Sequence, residues 1–297
     1  MRPEIEQAAA LLREQTPESV AQAIALLQRT VYGFSMKVCG HPEDAEDTMQ
    51  EVLMRSSAHL ARLQDANALA VWLYTVTRNR CWRMRRKPAG APVRMLTWDE
   101  LMPSEAEMAG LAARATSPEE AAIQSEQQEL VRRAVLEIPP QYRMVLVLHD
   151  MEDLDVAQIA QVLELKPGTV RVRLHRARLA VRKVMAEWLA GERVAVAGKD
   201  GAAEVGAVGA KERRAADCRE IFTQLSELLD DRLPPVDCAR MKAHIDRCPK
   251  CVLFLTDLRR AIERCRALEM GCDAQVGQAL LSQITSEYLR LVGESAA

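Results

Sequence analysis

His244, Cys248 and Cys251 follow one another at spacings of four and three, so one helix face or helix end presents an imidazole and two thiols together. This ligand set suits a tetrahedral zinc ion, which needs a fourth donor. Cys238 is nearest in sequence, but it precedes His244 by six residues, about 240° around a helix, and faces away. Cys218, one helix and one turn earlier, is the better candidate. Four protein ligands leave no open position for a substrate, so the chemistry expected is binding rather than hydrolysis. The plain alternative is a helix that happens to carry reduced cysteines. A DNA-reading zinc finger fits poorly, because the Cys pair follows the His and Glu220, Glu227, Asp230 and Asp231 crowd the preceding helix. No nucleophile–base pair or phosphate loop accompanies the cluster, and the chain reads as a non-enzyme.

Two other groups of residues point to binding. Between Pro42 and Lys87 the charge reverses: PEDAEDTMQEV is acidic, whereas the stretch from Arg78 to Lys87 carries six bases and no acid. Arginines interleaved with Trp82 suit phosphate contact and stacking on unpaired bases. The acidic face, with Glu43, Asp44, Asp47, Gln50 and Glu51, repels nucleic acid and suits a protein, or else is a solvated helix face. Further on, Lys166 to Lys183 carries seven bases and no acid. There Asp155 and Gln158 form a capping-box start, Lys166-Pro167-Gly168 supplies a turn, and Val170, Leu174, Ala177, Val181 and Val184 form one stripe. Arg171, Arg173, His175, Arg176, Arg178 and Arg182 occupy the remaining faces, as in a helix-turn-helix whose second helix enters the major groove.

The elements that must hold these groups are helical throughout. No sustained two-residue alternation occurs, whereas 3.6-residue periodicity recurs. Pro42 opens the acidic helix, and Ala45, Met49, Val52, Leu53, Leu60 and Leu63 share its apolar stripe. The next helix packs through Leu69, Trp72, Leu73 and Val76. Small residues and prolines interrupt the pattern twice. The division expected is 18–90, a linker at 91–118, 119–189, a flexible linker at 190–215, and 216–292. The fold class is all-α.

No apolar run approaches the roughly 18–20 residues that cross a bilayer, and the N-terminus has acids and no long apolar core, unlike a signal peptide. The expectation is a cytoplasmic protein with no membrane contact, whose eight cysteines serve as metal ligands or free thiols. Cys265 and Cys272, seven apart, cannot bond each other within a straight helix, and read as buried small residues, or else as sensing thiols or part of a second metal site.

The acidic run followed by AVWLYTVTRNRC resembles region 2 of bacterial sigma factors of the extracytoplasmic-function (ECF) type. The run from Leu136 to Lys183, with GTVRVRLHRAR at its centre, resembles region 4 of the same family. The segment from Cys218 to Cys251 is similar to the zinc-binding anti-sigma domain. The resemblance implies two partners: RNA polymerase core, through the β′ clamp and the β flap, and promoter DNA. It assigns Glu43, Asp44, Asp47, Gln50 and Glu51 to the clamp. Asn67, Trp72, Tyr74, Arg78, Asn79, Arg80 and Arg83 take the melted −10 element, and Thr169, Arg171, Arg173, His175, Arg176 and Arg178 the −35 element. Cys218, His244, Cys248 and Cys251 hold zinc. The chain departs from the family pattern at Ala70, Val71, Arg83 and Val172. The fused C-terminal domain, on a tether of about 25 residues, is expected to fold back on the sigma domains in cis at roughly millimolar effective concentration. Two alternatives stay open at this stage: a zinc module that is purely structural, and a helix-turn-helix regulator acting without polymerase core.

Overall fold

The computed structural model describes residues 2–63, 65–84, 95–104, 107–108, 111, 124–189, 216–271 and 277–296, and no strand occurs among them. The all-α class expected from periodicity is the observed one. In chain order the helices are α1 (Pro3–Glu14), α2 (Pro17–Cys39), α3 (Pro42–Met54), α4 (Ser57–Leu60), α5 (Ala66–Met84), α6 (Trp98–Leu101), α7 (Gln124–Glu137), α8 (Pro140–Leu146), α9 (Val156–Leu163), α10 (Pro167–Leu189), α11 (Ala216–Leu229), α12 (Pro235–Ile245), α13 (Pro249–Arg266) and α14 (Gln278–Ala296). Arg85, Arg86, the segment 190–215 and Cys272 lie outside the described residues. The chain divides into two compact units: Met1–Arg94 with Pro139–Arg173 and Ala267–Ala297, and Met95–Ile138 with Leu174–Arg266.

The first unit is built around α2. Thr16 and Ser19 exchange side-chain and backbone hydrogen bonds at its start, and Gly40, left-handed at φ 78°, ends it with its N–H on the Met36 carbonyl. From Thr30 to Lys37 every residue of α2 is buried, the mark of a helix packed on all sides. α1 covers it through Ile5, Ala8, Ala9 and Leu12. α3 starts at Pro42 and buries Ala45, Met49, Val52 and Leu53. The expected stripe does not run on in one helix to Leu63. The helix stops at Met54, because the buried Ser56 hydroxyl donates to the Leu53 carbonyl at 2.7 Å and competes with helical pairing. A single short helix, α4, then carries His59 and Leu60. α14 packs against α2 and α4, and its Tyr288 hydroxyl donates to the Leu12 carbonyl at 2.8 Å.

α8 runs into a π-helical turn over Val147–Met151, and α9 follows after Asp155 caps it, accepting from the Gln158 N–H. Glu164, left-handed at φ 56°, turns the chain toward α10. These are the two helices and turn of the helix-turn-helix.

The second unit joins the rest of α10 to α11, α12 and α13. Phe222 of α11 meets Phe254 of α13 edge to face, with centroids 4.6 Å apart, and Leu225, Met241, Ile245 and Leu258 complete the core. The segment from Met95 to Leu111 adds buried Leu96, Leu101, Met108 and Leu111.

Candidate functional site

In the first unit the acidic side chains of α3 lie outside its buried stripe. Glu43, Asp47 and Gln50 are exposed, and Asp44 and Glu51 are half-buried. Glu51 meets Arg80 of α5 at 2.7 Å. Beside that ion pair a cavity of about 160 Å³ is lined by Val52, His59, Trp72, Val76, Asn79 and Arg80, among others. The His59 and Trp72 rings stack with centroids 5.0 Å apart. Trp72, Asn79 and Arg80 are therefore brought together around one cavity, with aromatic, amide and cationic groups at its wall. Arg78 sits 5.5 Å over the exposed Trp82 ring and donates to Asn79 Oδ1. Arg83 belongs to α5.

Tyr74 and Asn67 sit differently. The Tyr74 ring is buried edge-on against Phe34, and its hydroxyl donates to Glu152 Oε2 at 2.7 Å. Asn67 is exposed on α5, where its Oδ1 accepts from Gln158 of α9 at 2.9 Å. Glu152 also accepts from Lys37 at 2.8 Å and lies 2.9 Å from Arg2. Burial holds the Lys37 ammonium below its usual pKa, opposed by the attraction of Glu152. Burial, then the charge of Glu152, pushes the Tyr74 phenol well above its usual value.

On α10 the apolar stripe behaves as its period demands: Val170, Leu174, Ala177 and Val181 are buried, and Val184 is half-buried. The basic faces divide along the helix. Arg171 is exposed, and Thr169, Arg173 and Arg176 are half-buried. Arg178 and Arg182 are buried completely, and His175 nearly so. What buries them is acidic and polar. Arg178 makes a two-pronged pair with Asp230 at 2.8 and 3.0 Å. The His175 Nδ1 and the Ser226 hydroxyl are 2.7 Å apart. Arg182 Nε meets Asp257 of α13 at 2.6 Å, and its guanidinium lies 4.6 Å over the Phe254 ring. Trp98 of α6 stacks against both His175, at 5.1 Å, and Arg176, at 5.2 Å. Burial lowers the His175 pKa to about 4, aided by Arg178 and Arg176.

Cys218 of α11, His244 of α12, and Cys248 and Cys251 around the start of α13 converge. All four ligand atoms lie within 4.8 Å of one another. Cys218 Sγ is 3.5 Å from His244 Nε2 and 3.9 Å from Cys248 Sγ, and His244 Nε2 is 3.3 Å from Cys251 Sγ. A tetrahedron with metal–ligand bonds of about 2.0–2.3 Å has edges of roughly 3.3–3.8 Å, and these separations lie close to that range, so the donor set fits zinc with small side-chain adjustments. Burial pushes the Cys251 thiol far up, with Cys248 and Cys218 adding to the rise, and a metal would favour the thiolate. Cys238 is half-buried and Cys265 buried, and neither forms a disulfide.

Three segments match known families. Residues 23–90 match sigma-70 region 2, residues 128–181 match sigma-70 region 4, and residues 218–251 match a zinc-finger family. The ECF RNA polymerase sigma factor SigW of Bacillus subtilis is 26% identical over 176 residues, covering 56% of this chain and 88% of that protein. The chain belongs to the ECF sigma factors. SigE of Mycolicibacterium smegmatis is 30% identical over 157 residues, 53% of this chain and 58% of the relative. The ECF sigma-E factor of Escherichia coli K12 is 26% identical over 142 residues, 46% and 72% of the two chains. The function of this sigma factor is promoter-specific initiation of transcription, in partnership with RNA polymerase and promoter DNA.

Within the sigma factor, the groups that sequence reasoning did not find are the partners of the basic side chains. Asp230 stands in an acidic stretch that is visible in the sequence, but its partner Arg178 is 52 residues away. Asp257 and Trp98 gave no signal beyond residue type. Lys37 and Glu152 are separated by 115 residues and look like ordinary surface charges until the fold joins them.

Proposed function

We propose that this sigma factor is held inactive in cis by its own C-terminal segment. The zinc-binding helices α11 and α13 grip the −35-reading helix, and the terminal helix α14 lies on region 2. One observation carries the reading: the arginines expected to meet DNA phosphate at the later turns of α10 are instead neutralised by carboxylates of the zinc domain. Carboxylate and phosphate make the same paired hydrogen bonds to guanidinium, so the two compete for Arg178. Arg171 and Arg173, nearer the start of the helix, stay accessible for base edges.

In the active form, Glu43, Asp44, Asp47, Gln50 and Glu51 meet the polymerase β′ clamp. Asn67, Trp72, Tyr74, Arg78, Asn79, Arg80 and Arg83 hold the melted −10 strand, and α10 reads the −35 element with Thr169, Arg171, Arg173, His175, Arg176 and Arg178. Region 4 contacts the β flap. Zinc bound by Cys218, His244, Cys248 and Cys251 staples the inhibitory domain, with no chemistry of its own. We assign 18–90 to region 2, 119–189 to region 4 and 216–292 to the inhibitory segment, joined by linkers at 91–118 and 190–215, in a cytoplasmic protein.

Promoter-library selection tests the reading, using core polymerase and the chain ended after Leu189. Arg171→Ala is expected to change only the −35 half of the selected sequences, and Asn79→Ala only the −10 half. Selection that is blind to both substitutions would contradict the assignment.

A further inference from the structure

The most completely buried charges in the first unit form one cluster. Glu152 is 1% exposed and Lys37 2% exposed, and their side chains meet at 2.8 Å. The second carboxylate oxygen takes the Tyr74 hydroxyl at 2.7 Å and faces Arg2 at 2.9 Å. Arg2 also donates to the Met151 carbonyl from both Nε and Nη2, at 3.1 and 2.9 Å. Lys37 and Tyr74 fall in the region 2 match, whereas Glu152 falls in the region 4 match. A single carboxylate therefore ties together the N-terminus, α2, α5 and the loop before the helix-turn-helix. Two lesser ties run alongside: Arg143 donates to the Val38 carbonyl at 2.7 Å, and Gln158 donates to Asn67 at 2.9 Å.

This contact is incompatible with the working geometry. Elements centred near −10 and −35 are about 25 base pairs apart, roughly 85 Å of duplex at about 3.4 Å per base pair. The longest helix of the first unit, α2, has 23 residues, about 35 Å of length. With Glu152 bonded to Lys37 and Tyr74, regions 2 and 4 touch directly and cannot address both elements at once. They must separate, and separation must break the Glu152 cluster.

We infer that Glu152 is an interdomain latch: its buried carboxylate, received by Lys37, Tyr74 and Arg2, holds region 4 closed on region 2 and must be released before promoter engagement. This rests on the sigma reading above, but it is separate from the grip of the zinc domain on α10. The chemistry suits a latch. Two charges lose most of their hydration on closing, and their attraction offsets much of that cost, so the pair fixes the closed arrangement without making it irreversible. Tyr74 anchors the latch on region 2, since its ring packs there on Phe34 and its hydroxyl is the group that opening releases.

The test uses three variants of the full-length, zinc-loaded chain, two single and one double, whose effects differ in size. Lys37→Met leaves a buried carboxylate short of a partner and should open the latch. Glu152→Gln removes the charge in nearly the same shape and should do the same. The double variant Lys37→Met with Glu152→Leu removes both charges together, at the cost only of the Tyr74 and Arg2 contacts to the carboxylate, and should open less than either single variant. Amide hydrogen exchange in α5 and α9 reads the interface, with α3 as internal reference, and run-off transcription with core polymerase reads the consequence. Both single variants should exchange faster in α5 and α9 alone and raise run-off at least about tenfold, with the double variant between them and wild type. Unchanged exchange, faster exchange in α3 as well, or opening without more transcript would each overturn the latch. Asp230→Ala, assayed in parallel, separates the two claims. If it raises run-off while Lys37→Met does not, the latch alone is wrong; if neither does, inhibition in cis fails with it.

Discussion

Arg178 and Asp230 form a two-pronged ion pair at 2.8 and 3.0 Å, with the guanidinium fully buried. Removing one member of such a pair strands a buried charge at a cost of about 3–5 kcal/mol, more than the pair itself contributes. Asp230→Ala should therefore loosen the second unit and raise run-off transcription at least tenfold. Arg178→Ala should loosen it equally but leave transcription low, because the same side chain is needed on DNA. Comparable activity in the two variants would refute the shared use of Arg178.

Zinc should hold α11, α12 and α13 together. Structural zinc supplies on the order of 10 kcal/mol of folding free energy to small domains. Cys218→Ser or His244→Ala should lower bound zinc measured by atomic absorption, and cause a loss of helical circular dichroism matching those three helices. Chelation of the wild type should do the same. Retention of one zinc per chain in both variants would contradict the four-ligand site.

The closed second unit should weaken in acid through His175. Its pKa is about 4 when buried, against an ordinary value near 6.5. Between those values the opened chain takes up a proton that the closed one refuses, so stability is complete above about 6.5 and falls as the pH drops toward 4. The slope is at most about 1.4 kcal/mol per pH unit. Thermal unfolding from pH 7 to pH 4.5 measures it, and His175→Gln should flatten the profile.

The acidic face of α3 should matter to polymerase and not to folding. Asp47 and Glu43 are exposed, so Asp47→Lys and Glu43→Lys should leave the melting temperature unchanged. Core binding measured by titration should weaken, and its dependence on salt should change, as expected when charges steer association. Core affinity equal to wild type in the double variant would remove this face from the interface.

What could be read in the sequence follows from which signals are local. His244, Cys248 and Cys251 are placed by helical spacing alone; helical geometry excludes Cys238, and the resemblance to the zinc-binding anti-sigma domain points to Cys218, so their convergence was legible. Val170, Leu174, Ala177 and Val181 announced the packed side of α10 by period. The burial of Arg178 and Arg182 on the other side was not legible, since periodicity reports the apolar face and is silent about a face covered by carboxylates. Tyr74 is assigned to the −10 strand by family resemblance alone; its pairing with Glu152, a partner 78 residues away, had no local signal. The early end of α3 turned on one serine hydroxyl, a local competitor that the apolar stripe concealed.

Run-off transcription with purified core polymerase, comparing the full-length chain with one ended after Leu189, tests the central claim most directly. The account predicts little transcript from the zinc-loaded full-length chain. It predicts clearly more transcript from the shortened chain, in which only the Glu152 latch remains to be opened by polymerase and promoter, and a rise toward that level when the full-length chain is treated with chelator. Full-length, zinc-loaded protein as active as the shortened chain would show that the zinc domain does not restrain the sigma factor.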